Sequence, residues 1–171
     1  METLEEPQAD QDGEQQAAAT RFEQRLRENQ TEQTAQSVLM ALRFWQQQGG
    51  YLTYGRAAET SCFPNLDAGS ALKSRILWPI AIYPVSGTVE AVFQPLKIRA
   101  PFDDETQRRE LMTRFNAIDG IDLAEAKIDL RPSFPLDVFA EHGEDICSVL
   151  EWFVHTVALE APRRSAEAVA S

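Results

Sequence analysis

The stretch from Ile76 to Ile98 limits the fold more than any other part of the chain. It reads as two extended runs joined by a turn over Pro84 to Gly87. In the first run Ile76, Trp78, Ile80 and Ile82 share one parity, and Leu77, Ala81 and Tyr83 share the other. Both faces are apolar, so a strand of this kind needs cover on both sides. The short connection makes its partner, Thr88 to Ile98, antiparallel. Pro79 has no N–H to give to a ladder, which assigns it to a bulge or an edge-facing position. In the second run the apolar parity moves from Val89, Ala91 and Phe93 to Leu96 and Ile98. A bulge at Pro95 is the expected cause.

Helices supply the cover. From Glu32 to Gln48, the residues Val38, Ala41, Leu42 and Trp45 fall at i, i+3, i+4 and i+7, the spacing of one helical face. Gly49 and Gly50 end that helix in a left-handed stop. From Glu144 to Leu159, Ile146, Val149, Leu150, Phe153 and Val157 form the clearest amphipathic pattern in the chain, and Pro162 is expected to end it. Between these helices, Asp104 with Gln107 three residues on fits a capping box ahead of Leu111, Met112, Phe115 and Ile118, with Asp103 as the alternative cap. Tyr51–Tyr54 and Thr60–Phe63 predict a hairpin and Pro64 to Ser74 a loop. Lys127 to Arg131 predicts a short strand with Ile128 and Leu130 inward. The expected fold class is α+β. An antiparallel or mixed sheet of four to five strands is packed with N-terminal, middle and C-terminal helices in one domain over residues 35–160.

The ends read differently. Residues 1–34 are acidic and Gln-rich and are expected to be largely disordered or marginally helical. From Ala17 to Glu28 only Phe22 and Leu26 offer an apolar stripe. Residues 161–171 are expected to form a loose tail.

Charge narrows the function. The formal net charge is -11, and the first sixteen residues hold six acids and no base. An acidic chain lacks the general cationic surface that grips nucleic acid by displacing counterions. No basic region precedes an apolar run at the N-terminus, and no apolar run is long enough to span a bilayer. A cytoplasmic location without membrane contact is expected. Cys62 and Cys147 lie in unrelated contexts, and with His142 and His155 they make no zinc pattern. Walker, G-x-G-x-x-G, G-x-S-x-G and H-E-x-x-H motifs are all missing. No cofactor, metal ligand or catalytic residue is assigned.

Two constellations remain. Glu125-Ala-Lys127, with Asp119 and Asp122 upstream, matches the fragment in which metal-dependent nucleases hold Mg²⁺ on acids and steady the nucleophile with lysine. That chemistry needs the fragment on a strand. The other is basic. Lys73 and Arg75 precede one central strand, and Lys97 and Arg99 end the next. Antiparallel pairing brings those ends together, with Arg131 beside them and Trp78, Tyr83 and Phe102 as aromatic surface. Such a cluster suits phosphate, a nucleic-acid strand or an acidic partner. The leading expectation is a non-enzymatic binding or accessory module with an unknown protein partner, for which the acidic N-terminus serves as a tether or regulator. A metal-dependent phosphodiesterase and a purely structural subunit are the alternatives.

Phe44-Trp45, Tyr51 to Gly55, Leu77 to Tyr83, Thr88 to Gln94, Pro101 to Asp104 and Leu130 to Leu136 together resemble a small α+β domain of uncharacterised bacterial proteins. That domain is found alone or at the C-terminus of larger chains. The resemblance covers about Val38 to Val157 and departs at Gln94-Pro95, where an aromatic is expected after Gln. It implies no catalytic motif, and it implies an association with nucleic-acid-processing or defence proteins.

Overall fold

A computed structural model describes residues 6–69 and 75–170, with backbone alone at 6–11 and 161–170. The first two elements are helices, α1 (Glu6–Asn29) and α2 (Glu32–Gln47). Thr31 separates them by capping α2, its hydroxyl accepting from the Thr34 amide at 3.1 Å. Six strands follow: β1 (Tyr51–Tyr54), β2 (Cys62–Asp67), β3 (Ile76–Leu77), β4 (Ile80–Tyr83), β5 (Thr88–Ala91) and β6 (Ser133–Pro135). They form one antiparallel sheet in the order β1-β2-β4-β5-β6, with β3 paired to β2 beside β4. Between β5 and β6 run a helical turn α3 (Phe93–Leu96), α4 (Glu105–Asn116) and a 3-10 turn over Glu125–Lys127. The last helix, α5 (Val138–Ala170), is kinked at His142. The α+β class is as the sequence predicts.

Both apolar helix faces are used as their spacing predicts. Val38, Ala41, Leu42 and Trp45 of α2 are buried, as are Ile146, Val149, Leu150, Phe153 and Val157 of α5. Aromatic contacts join the layers. Phe153 stacks on Phe102 with centroids 4.7 Å apart, and Trp45 lies 6.0 Å from Phe153 on its other flank. The indole N–H of Trp45 donates to the Asn65 carbonyl at 2.8 Å, which ties α2 to β2. The two glycines after α2 serve separate ends. Gly49 takes the left-handed backbone, φ 101°. Gly50 leaves room for the Trp45 ring, which a β-carbon there would meet at 2.1 Å.

Several expectations are corrected. The Ala17–Glu28 segment is not marginal: α1 buries Ala18, Phe22 and Leu26 in the common core. It also clamps the β1–β2 turn. Arg21 donates to the Thr60 hydroxyl at 2.6 Å, and Gln15 accepts from the Tyr54 amide at 3.0 Å. Thr60 has φ 59°, costly for a β-branched residue, and it is fully buried under this clamp. At the other end the α5 backbone stays helical past Pro162 to Ala170, so Pro162 does not end it.

Pro64 does not open a loop; β2 runs through it to Asp67. The register explains how. Leu52 faces Pro64, two residues from the Tyr54–Cys62 pair. The Tyr54 N–H points away from β2, towards Gln15, so Leu52 and Pro64 occupy a pair that exchanges no hydrogen bonds. The missing N–H of Pro64 therefore falls on the far side of β2. There the partner strand is itself interrupted at Trp78-Pro79, between β3 and β4. That interruption also shifts the phase of burial. Leu77 faces the core in β3, whereas Ile80 and Ile82 do so in β4, leaving Ile76 and Trp78 on the outer face.

The strand expected over Thr88 to Ile98 ends at Ala91. Phe93 and Leu96 are both buried from one turn of helix, and that turn, rather than a bulge, makes the parity change. Ile98 is consequently turned out and is 79% exposed. Lys127 to Arg131 is not a strand either. It starts in the 3-10 turn and leaves Leu130 exposed, and β6 lies beyond it.

Candidate functional site

The outer face of the β1–β2 hairpin carries Thr53, Phe63 and Asn65. Beside it stand Ile76 and Trp78 from the broken strand, Arg75 just ahead of it, and Ile98 and Arg99 from the segment after α3. These eight residues line an open groove of about 760 Å³. Its floor is fixed to the core. The Asn65 amide donates to the Thr53 hydroxyl at 2.6 Å, while the Asn65 carbonyl receives the buried indole of Trp45. Arg99 forms one wall. Its guanidinium donates to the carbonyls of Ile76 at 3.1 Å and Pro95 and lies 5.0 Å over the Trp78 ring. Arg75 donates to the Ala100 carbonyl, so the two arginines brace the β3 and α3 sides against each other. The Trp78 indole N–H is shielded from solvent and has no partner among the described residues.

The expected basic cluster is therefore only partly assembled. Arg75 and Arg99 come together. Lys97 turns away to Asp129, with Nζ 3.4 Å from the carboxylate, and Arg131 donates to the Gln94 amide oxygen at 3.1 Å and does not line the groove. Lys73 lies outside the described residues. Lys97 and Arg99 part because they leave a helical turn, not a strand end. Of the expected aromatic surface, only Trp78 lines the groove, and Phe102 is in the core against Phe153. Tyr83 is held elsewhere. Burial and a hydrogen bond with Glu90 push its hydroxyl up to about 12. The sequence reading missed Thr53, Phe63, Asn65, Ile76 and Ile98 as site residues. The one available signal was Ile98 between Lys97 and Arg99, an apolar residue flanked by charges.

Lys97 belongs instead to a structural clasp. Arg108 of α4 is buried and donates to the carbonyls of Phe102 at 2.9 Å and Asp103 at 3.1 Å, and to the Asp129 carboxylate at 2.9 Å. Desolvation raises the Asp129 pKa, but hydrogen bonds from Arg108 and Lys97 outweigh it and hold the carboxyl below its ordinary value. A lowered folded-state pKa adds stability above the unfolded value, and that stability is lost as pH falls through the folded one. The stability advantage of the wild type over Asp129→Asn is therefore expected to be full at pH 6 and to shrink below about pH 4. Urea unfolding across that range measures it, and a constant gap would show that Asp129 does not titrate against these cations.

The nuclease arrangement is not formed. Glu125-Ala-Lys127 is a 3-10 turn, all four candidate residues are exposed, and no cluster of three or more His, Cys, Asp or Glu among the described residues could hold a metal ion. Cys62 is fully buried against the Tyr54 hydroxyl, and burial pushes its thiol well above the ordinary range, the wrong direction for a nucleophile. His142 lies within α5. It marks the α5 kink, with Nδ1 3.5 Å from Asp145, and His155 is exposed. A second cleft of about 880 Å³ between α2 and α5 has Glu141, His142, Cys147 and Met40 on its walls. Its acids Glu141, Glu144, Asp145 and Glu151 are all exposed, so it offers no enclosed chemistry. Among the described residues, no helix is long and apolar enough to cross a membrane. No protein-family description, characterised protein or solved structure matches this chain.

Proposed function

We propose that the protein is a non-enzymatic binding module and that the groove between the β1–β2 hairpin and the segment after α3 is its recognition surface. The observation that carries this reading is the groove's composition: exposed Ile98, partly exposed Ile76 and two braced arginines on a floor bonded to the core. Exposed apolar side chains rimmed by charge are the usual make-up of a contact surface. The partner in this reading is a protein, and the resemblance to small bacterial domains makes an accessory role in a nucleic-acid-processing or defence system part of the same proposal.

Ile98→Glu is the informative change, because Ile98 is 79% exposed and its loss disturbs no core contact. Replacing Lys97 as well would break the Asp129 contact and confuse the result. In affinity capture from the cells that produce the protein, the Ile98→Glu chain is expected to lose every partner retained by the wild type, at an unchanged melting temperature. Recovery of the same partners by both chains would show that recognition lies elsewhere.

A further inference from the structure

We infer that the groove takes a short acidic peptide segment with aliphatic side chains. The inference rests on the binding-module reading above and adds the chemistry of the ligand.

Charge pairing gives the first reason. The chain has 27 acids and 16 bases, yet both arginines of the groove lie without a carboxylate beside them. Arg25, Arg27, Lys97, Arg108, Arg109 and Arg114 each lie within ion-pair distance of an acid. Arg75 and Arg99 have none among the described residues, as is also true of Arg21, Arg43, Arg56, Lys127 and Arg131, but Arg75 and Arg99 are the two that line one groove together. Their hydrogen bonds go to backbone carbonyls, which orient a guanidinium without neutralising it. The acid on the same face of the hairpin, Asp67, is engaged by the amides of Gly69 at 2.9 Å and Arg75 at 3.2 Å.

Preorganisation gives the second. A guanidinium has five donors. Arg99 spends Nε and one Nη on carbonyls and is fixed over Trp78, and Arg75 spends one Nη. The remaining donors are held on a rigid wall, and a planar fork held in place suits a carboxylate. Between and beside them Ile76, Ile98 and Phe63 offer apolar surface that a purely polar anion would leave wet. A ligand matching both has a carboxylate and an aliphatic side chain a few atoms apart, as in an Asp or Glu next to Leu, Ile or Val.

Net charge separates a peptide from a nucleic acid. At -11 the protein repels a long polyanion, and the groove supplies two cations rather than a track of them. A peptide with one or two carboxylates meets mainly the local field.

The test uses the full chain, a random twelve-residue peptide display library and a fifteen-nucleotide dT oligomer. Selected peptides are expected to be enriched in Asp or Glu beside Leu, Ile or Val. By calorimetry, the best of them should bind the wild type at least about tenfold more tightly than its Asn/Gln counterpart does, a difference of about 1.4 kcal/mol. Ile98→Glu should lose a similar factor, and the oligomer should not compete. Arg75→Gln with Arg99→Gln should remove the preference for the acidic peptide over its amide counterpart. If that variant melts early because its carbonyl contacts are gone, Ile98→Glu alone decides. Basic or uncharged winners, no enrichment, or competition by the oligomer would overturn the acidic ligand. The binding-module reading survives if those other ligands still fail on Ile98→Glu, and it falls with the ligand if they bind Ile98→Glu as well as the wild type.

Discussion

Phe153→Ala is expected to cost about 3–5 kcal/mol of folding stability, the usual range for truncating a buried phenylalanine. Phe153 is fully buried between the rings of Phe102 and Trp45, and it joins α5 to α2 and to the segment before α4. Its stacked contact with Phe102, planes 6° apart, adds an aromatic interaction beyond the area it buries. Domains of this size are stable by only about 5–15 kcal/mol, so the loss should appear as a large drop in melting temperature. Glu151→Ala, two residues away and half exposed, should change the midpoint little. Equal melting of the two variants would mean that α5 does not present this face to the core.

The second large effect is expected in α1. Phe22→Ala should also cost about 3–5 kcal/mol, because Phe22 is 1% exposed and packs on the Tyr54 ring with centroids 5.7 Å apart. More than one side chain depends on this helix. The Arg21 clamp on Thr60 and the Gln15 contact on β1 follow its position. Limited proteolysis checks the same point by another route. The protected core should begin before Ala18, not near residue 30. Rapid cutting between Phe22 and Asn29 in the native protein would show that α1 is not docked.

The Ala17–Glu28 segment is the part of the chain that sequence reasoning misjudged most. It follows an acidic, Gln-rich stretch, and Ala18, Phe22 and Leu26 make a stripe only one residue wide. A stripe that narrow does not hold a helix alone. It does so here because the hairpin offers Tyr54 and Thr60 as partners, and no local pattern in residues 1–34 announces them. The turn at α3 was more legible than it looked. Phe93 and Leu96 are three apart, and a proline inside the first turn of a helix is well tolerated since that N–H has no helical acceptor. The same phase change fits a bulge equally well in one dimension.

What the sequence determined by itself was the set of faces to be buried. Period-3.6 stripes in α2, α4 and α5 and the apolar run at Ile80–Ile82 each depend on spacing along one segment, and all of them enter the core. Helix starts at Thr31 and Asp104 are local in the same sense, a side-chain oxygen accepting from an amide two or three residues on. Tertiary structure decided which members of the expected basic cluster meet in the groove and which apolar residues join them. Arg75 and Arg99 are adjacent because the strand breaks at Trp78-Pro79 and the chain turns at α3, while one residue's difference in phase sends Lys97 to Asp129 and leaves Ile98 outward. Such juxtapositions are settled by which segments pack together, a property of the whole chain that the spacing within any one segment does not contain.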